Sequence, residues 1–222
     1  MSSQHQKSKI SCIIYLEPSS TSRFYQSIAN FYDQTLKLFG PNEALKYHPH
    51  VSMTGFFNLY DGPDKSSHEK LDKIIKFINS FLESHKGQIT HPKIEGIIRS
   101  RAVLISINVC QALHELVGQI SLFDIDDETI SINNHNTKIL IRPKRIDHIS
   151  LAYCSHTYPE GQDILTEDVL AKIEAMAHKM IDFSDMEGGR GNWDLVVYEK
   201  TIHGSRLEDK HIFREIGRWN IV

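Results

Sequence analysis

His50-Val51-Ser52-Met53-Thr54-Gly55-Phe56 is matched later in the chain by His148-Ile149-Ser150-Leu151-Ala152-Tyr153-Cys154. Each stretch runs histidine, β-branched aliphatic, serine, long aliphatic, then a small residue. Side chains on an extended strand alternate between faces. His50, Ser52, Thr54 and Phe56 therefore share one face, and Val51 and Met53 the other. His148, Ser150 and Ala152 are set against Ile149 and Leu151 in the same way. The aliphatic faces suit packing beneath helices, which leaves the polar faces to line a cleft. A single His-x-Ser is common by chance, and a strand histidine is most often solvated or satisfied locally. Two copies 98 residues apart, each on a predicted strand with the same alternation, carry more weight.

The surroundings of each motif read alike. Ile10 to Leu16 is an apolar run suited to a buried strand. A helix follows, with Ser19, Ser20 or Thr21 as N-cap, Phe24, Ile28, Phe31, Thr35, Leu36 and Phe39 at helical spacing, and Gly40-Pro41 as its stop. His50 to Phe57 is the next strand, and Asn58 to Ser67 a turn-rich loop. Leu71, Ile74, Ile75, Ile78, Phe81 and Leu82 form the apolar face of a second helix. Lys93 to Ile98 and Ala102 to Val109 read as paired strands, followed by an amphipathic helix over Gln111 to Phe123. Asp124 to Asn136 is an acidic, polar loop, and Ile139 to Ile141 is short and extended. Ile146 to Tyr153 is the second histidine strand. A fourth helix spans Asp163 to Phe183, Gly188 to Gly191 is a connector, and Trp193 to Lys200 and Ile212 to Val222 close the chain as strands. The order predicts an α/β (α+β) protein with a flexible tail over residues 1–9 and one domain over 10–222, mostly antiparallel because tight turns join several strands.

Composition narrows the partners. Of 222 residues, 40% are hydrophobic and 24% charged, as in a soluble globular protein, and the formal charge is −3. Proteins that grip long nucleic acid usually carry a basic excess, because phosphate neutralisation supplies much of the affinity. A nucleic-acid ligand is therefore expected to be a nucleotide or short RNA, not a long duplex. Cys12, Cys110 and Cys154 are scattered and odd in number, which argues for a reducing compartment. The polar N-terminus and the lack of a long apolar run predict a cytoplasmic or nuclear protein without membrane contact, acting as a monomer.

Other candidates carry plainer readings. His48-Pro49-His50 has no nearby carboxylate at a ligand spacing, so neither metal nor cofactor is expected. The remaining histidines, His203 and His211 among them, read as solvated loop or helix-surface residues. Arg142, Lys144 and Arg145 form a basic edge before the second motif, with Arg145 the candidate contact to a phosphate. Tyr15, Phe56 and Tyr153 are candidates for stacking on a base, with core packing as the competing role. Tyr153 has the wrong parity for the His148 face unless its strand is bulged. Trp193 and Tyr198 read as core.

The doubled H-x-[ST]-aliphatic pattern, at this separation and chain length, resembles the 2H (two-histidine) phosphoesterase superfamily. His148-Ile-Ser-Leu-Ala-Tyr-Cys is similar to the second motif of the spliceosomal small-RNA 3′-end trimming exonucleases. Ser52-Met-Thr-Gly-Phe-Phe and Trp193-Asp-Leu-Val-Val-Tyr-Glu are more like the phosphoesterase domain of TULA-type phosphatases. The resemblance implies a bilobal fold of two pseudo-symmetric lobes around a central cleft, with His50 and His148 as acid/base residues and Ser52 and Ser150 binding phosphoryl oxygens. Two histidines titrating near neutrality can divide the proton transfers of in-line phosphodiester cleavage, with hydroxyl donors stabilising the phosphoryl charge. Cleavage of a 2′,3′-cyclic or 2′,5′-linked nucleotide, or of an RNA 3′ end, is the expectation. A catalytically inactive module binding nucleotides or phospho-ligands on the same fold stays open, as does a metal-dependent hydrolase. Which histidine is the base is also open.

Overall fold

The computed structural model describes residues 9–62, 66–122, 131–132, 135–136, 141–154, 165–186 and 191–221. Strand β1 (Lys9–Pro18) leads into helix α1 (Arg23–Phe39), a 3₁₀ turn (Glu43–Lys46), and strands β2 (Val51–Ser52) and β3 (Phe57–Tyr60). Helix α2 (Ser67–Ser84), hairpin β4 (Lys93–Arg99) and β5 (Val103–Asn108), and helix α3 (Gln111–Leu122) follow. After the small pair β6 (Ser131–Ile132) and β7 (His135–Asn136) come β8 (His148–Ala152), α4 (Glu167–Met180), β9 (Trp193–Ile202) and β10 (Ile212–Asn220). The predicted loop over Asp124 to Asn136, most of Ile139 to Ile141, and Gly188 to Arg190 lie largely outside the described residues.

One open, antiparallel eight-stranded sheet organises the chain in the order β10-β9-β1-β2-β8-β5-β4, with β3 also paired to β1. Its aliphatic face carries Ile14, Leu16, Val51, Met53, Ile105, Ile149 and Leu151. Phe24, Ile28 and Phe31 of α1, Leu71, Ile74 and Ile78 of α2, Leu113 and Leu116 of α3, and Leu170 and Ile173 of α4 pack into the same core. Burial of these apolar side chains is the main favourable term for the fold. The reverse face holds a smaller cluster of Ile13, Tyr15, Val196 and Tyr198, with Tyr47, Phe56 and Phe213 packed against it. With the helices gathered on one side, the histidine motifs open on the other.

Several boundaries differ from the sequence reading. The α1 N-cap is Ser22, whose side chain accepts from Tyr25 N–H. Ser19 is used one turn earlier, where its carbonyl accepts from both the N–H and the hydroxyl of Ser22. The helix stops at Gly40, whose φ of 81° suits a residue without Cβ. The continuous strand predicted from His50 to Phe57 is broken: β2 is two residues long, Thr54 bridges Pro143, and β3 starts at Phe57. Asn58 to Tyr60, predicted as loop, pair with Ser11 to Lys9. Helix α4 begins at Glu167, after the Thr166 cap, and the expected start at Asp163 lies outside the described residues. No helix among the described residues is long and apolar enough to cross a membrane.

Candidate active site

The two motif strands lie side by side. β2 pairs β8 antiparallel with Val51 opposite Ile149. The same register sets His50 beside Ser150 and Ser52 beside His148, and a local twofold axis through the Val51–Ile149 pair exchanges the motifs. Val51, Met53, Ile149 and Leu151 are fully buried against the helices. His50, Ser52, His148 and Ser150 remain partly exposed on the reverse face. The alternation read from sequence holds over His50 to Met53 and His148 to Leu151, and the pairing joins their polar faces. Ala152, expected on the polar face, is instead buried in the helix-covered core.

His50 is held in one tautomer. Its Nδ1 lies 2.7 Å from the His48 carbonyl, an acceptor, so Nδ1 carries the proton. Nε2 is then the bare nitrogen and accepts from the Ser52 hydroxyl at 3.1 Å. The Tyr15 ring stacks on the imidazole with centroids 3.8 Å apart. Burial, then the neighbouring His48, push the His50 pKa down to about 3; the bond to the His48 carbonyl opposes this, and His148 adds to it. His50 is thus a neutral imidazole near pH 7, its Nε2 lone pair engaged by the Ser52 hydroxyl.

His148 has a different partner. Its Nδ1 lies 2.7 Å from Asp147 Oδ1, while the other Asp147 oxygen pairs with Arg145 at 2.7 Å. Burial tends to raise the Asp147 pKa, but the bonds and charges of His148 and Arg145 outweigh it and hold the carboxyl below its usual range. The strand beneath is fixed by Tyr32 of α1, whose buried hydroxyl donates to the Ser150 carbonyl at 2.6 Å.

Two neighbouring cavities flank the pair. One, of about 190 Å³, is lined by His50, Ser52, Ser150, Tyr15, Phe56 and Tyr153 together with Tyr47 and Lys144. The other, of about 440 Å³, is lined by His148, Arg145 and Asp147 with Glu95, Ser106 and His114. The structure therefore divides the candidates: His50, Ser52, Ser150, Tyr15, Phe56 and Tyr153 line one cavity, and His148 and Arg145 line the other.

The aromatic candidates take distinct roles. Tyr15 is fully buried and backs His50, so it supports the catalytic candidate instead of offering a face to a base. One face of Phe56 is covered by the Lys200 ammonium, 3.8 Å from the ring centroid. Tyr153 reaches the His50 cavity because β8 is bulged. Leu104 pairs with Ser150 and Val103 with Ala152, leaving Leu151 extra and reversing the parity beyond it.

Sequence reasoning missed the support beneath His50. His48 Nε2 is hydrogen-bonded to the carboxylate of buried Glu17. Glu17 also accepts from the Tyr198 hydroxyl at 3.1 Å and lies 3.4 Å from Arg218. These residues are far apart in sequence, so no local pattern announces them. Asp147 was within reach as a carboxylate adjoining the second histidine. Among the described residues no group of three or more histidine, cysteine or acidic side chains is arranged to hold a metal ion. No family model matches the chain, and neither a curated protein nor a solved structure does.

Proposed function

We propose that the protein is a metal-independent phosphodiesterase of the 2H type, acting on 2′,3′-cyclic or 2′,5′-linked nucleotides or on RNA 3′ ends. The observation that carries this reading is the Val51–Ile149 register, by which two His-x-Ser motifs meet on one open sheet face. The single sheet, with β1 beside β2 and β5 beside β8, is read as the bilobal 2H arrangement, its two halves joined at that pair.

Roles follow from the asymmetry of the two imidazoles. His50 Nε2, neutral and lone-pair bearing, takes the proton from the attacking oxygen, either water or a ribose 2′-hydroxyl. His148, with Nδ1 held by a carboxylate, gives a proton to the leaving oxygen on the opposite side. With substrate in place the Ser52 hydroxyl turns from His50 Nε2 to a non-bridging oxygen. Ser150 donates likewise as charge develops there, and Lys144 adds a cation at the same cavity. Water as nucleophile opens a cyclic phosphate, whereas a 2′-hydroxyl leaves one.

The test is product analysis in excess chelator on 2′,3′-cyclic nucleotides, 2′,5′-oligoadenylate and short oligouridylate. Cleavage of at least one by the native protein, lost in His50→Ala, is expected. Binding without turnover on all of them, or turnover unchanged in the variant, overturns the reading.

A further inference from the structure

Beyond the Tyr47 and Phe56 wall of the His50 cavity lies a cluster that the catalytic scheme does not use. Lys200 of β9 sits over the outer face of Phe56 and donates to His203 Nδ1 at 3.0 Å. His203 stacks on His211, with centroids 4.9 Å and planes 22° apart, and His211 packs edge-on against Tyr47 at 4.9 Å. The Gly204 N–H donates to His211 Nδ1 at 3.0 Å, and Lys46 Nζ donates to the Gly204 carbonyl at 3.2 Å, tying the loop to the 3₁₀ turn. His211, expected to be solvated, is 9% exposed, because the Lys46 carbonyl accepts its backbone N–H and aromatic rings enclose its side chain.

Both ring Nδ1 atoms accept a hydrogen bond, so each neutral imidazole carries its proton on Nε2. Two stacked rings thus keep an N–H donor each beside two ammonium groups. The charges acting on the rings are cationic. Lys200, then burial and Lys46, hold His203 below the usual histidine range; burial, then Lys200, His203 and Lys46, take His211 to about 4. Asp209 of the same loop is engaged by the Ser205 hydroxyl and the Arg206 N–H. Among the described residues none of Lys46, Lys200, His203 or His211 is ion-paired with a carboxylate. Uncompensated cations beside N–H donors, behind the Tyr47 and Phe56 wall of the cavity, form a site for an anion.

We infer that Lys46, Lys200, His203 and His211 form a second phosphate site, one aromatic side chain away from the His50 cavity, so that the preferred ligand is a nucleotide bearing two phosphates. This deepens the phosphodiesterase reading, on which the identity of the first phosphate rests. The substrate class becomes an oligonucleotide end, with the scissile phosphate between the histidines and its neighbour at the Lys200 cluster, in preference to a cyclic mononucleotide.

Calorimetric titration of the native protein with a nucleoside 3′,5′-bisphosphate and with the matching 3′-monophosphate tests it. The bisphosphate is expected to bind about tenfold more tightly, as one added charge-assisted contact would give. Lys200→Gln and His203→Ala should each bring the ratio of affinities towards one. Equal affinity in the native protein, no binding of the bisphosphate, or an advantage that survives both substitutions overturns the site. The two readings separate cleanly. Turnover of a cyclic mononucleotide without a bisphosphate advantage removes the second phosphate site alone. A Lys200-dependent advantage without cleavage of any diester removes the phosphodiesterase reading and leaves the second phosphate site standing.

Discussion

Val51 lies directly opposite Ile149 on antiparallel strands, and this one pair fixes the geometry of the candidate site. Both side chains are fully buried in the helix-covered core. A slip of one residue would turn a motif's aliphatic side chains out of that core and its histidine in, so hydrophobic burial itself holds the register. The local twofold at the pair gives each histidine the other motif's serine as its neighbour. The equivalence stops at the backbone, since a peptide carbonyl holds one imidazole and a carboxylate the other.

His50→Ala and His148→Ala should each lower kcat on a cleaved diester by roughly 10²–10⁴-fold, the usual contribution of a positioned acid or base. The double variant should lose much less than the product of the single losses, because the two act in one step. Single-turnover kinetics and circular dichroism on the same preparations check this. Single variants that retain native kcat would remove the assignment.

Stability should fall on acidification through the His50 site. Above about 6.5 the ring is neutral in both states, so its stabilising contribution is fully present. Below that, the unfolded chain takes up a proton that the folded protein refuses until about pH 3. Thermal melts from pH 7 to 3.5 should show a falling Tm, with a shallower slope in His50→Gln. Parallel slopes for the two proteins would contradict a histidine held neutral in the folded protein.

Asp147→Asn replaces the carboxylate that holds His148 Nδ1 and pairs with Arg145. A positioning role predicts a fall in kcat of at least about tenfold with little change in KM. The loss should stay below the ~10⁴-fold seen where a buried carboxylate orients a catalytic imidazole, because the Asp147 side chain is 40% exposed. Asp147→Glu should recover part of the rate and shift the pH–rate profile. A pure KM effect would instead assign Asp147 to substrate contact.

Tyr32→Phe removes the hydroxyl that donates to the Ser150 carbonyl, tying α1 to the second motif strand. Leaving that carbonyl without its donor should cost about 1–2 kcal/mol in denaturant unfolding. A change within about 0.5 kcal/mol, the range of ordinary surface substitutions, would show that the bond contributes little.

Much of this was legible along the chain. The period-two alternation in His50 to Met53 and His148 to Leu151 determined which side chains share a face, because alternation is a property of the extended backbone itself. The helical spacing of Phe24, Ile28 and Phe31, and of Leu71, Ile74 and Ile78, likewise determined which faces would be buried. Tertiary structure decided what those faces meet. The Val51–Ile149 register joins residues far apart in sequence, and the extra residue at Leu151 turns Tyr153 into the His50 cavity against its local parity. Glu17 beneath His48, and the stacking of His203 on His211 behind Phe56, depend on strands β1, β9 and β10 coming together, which no local pattern encodes. Local periodicity is written in the backbone of each segment, whereas partners and burial exist only once distant segments share a core.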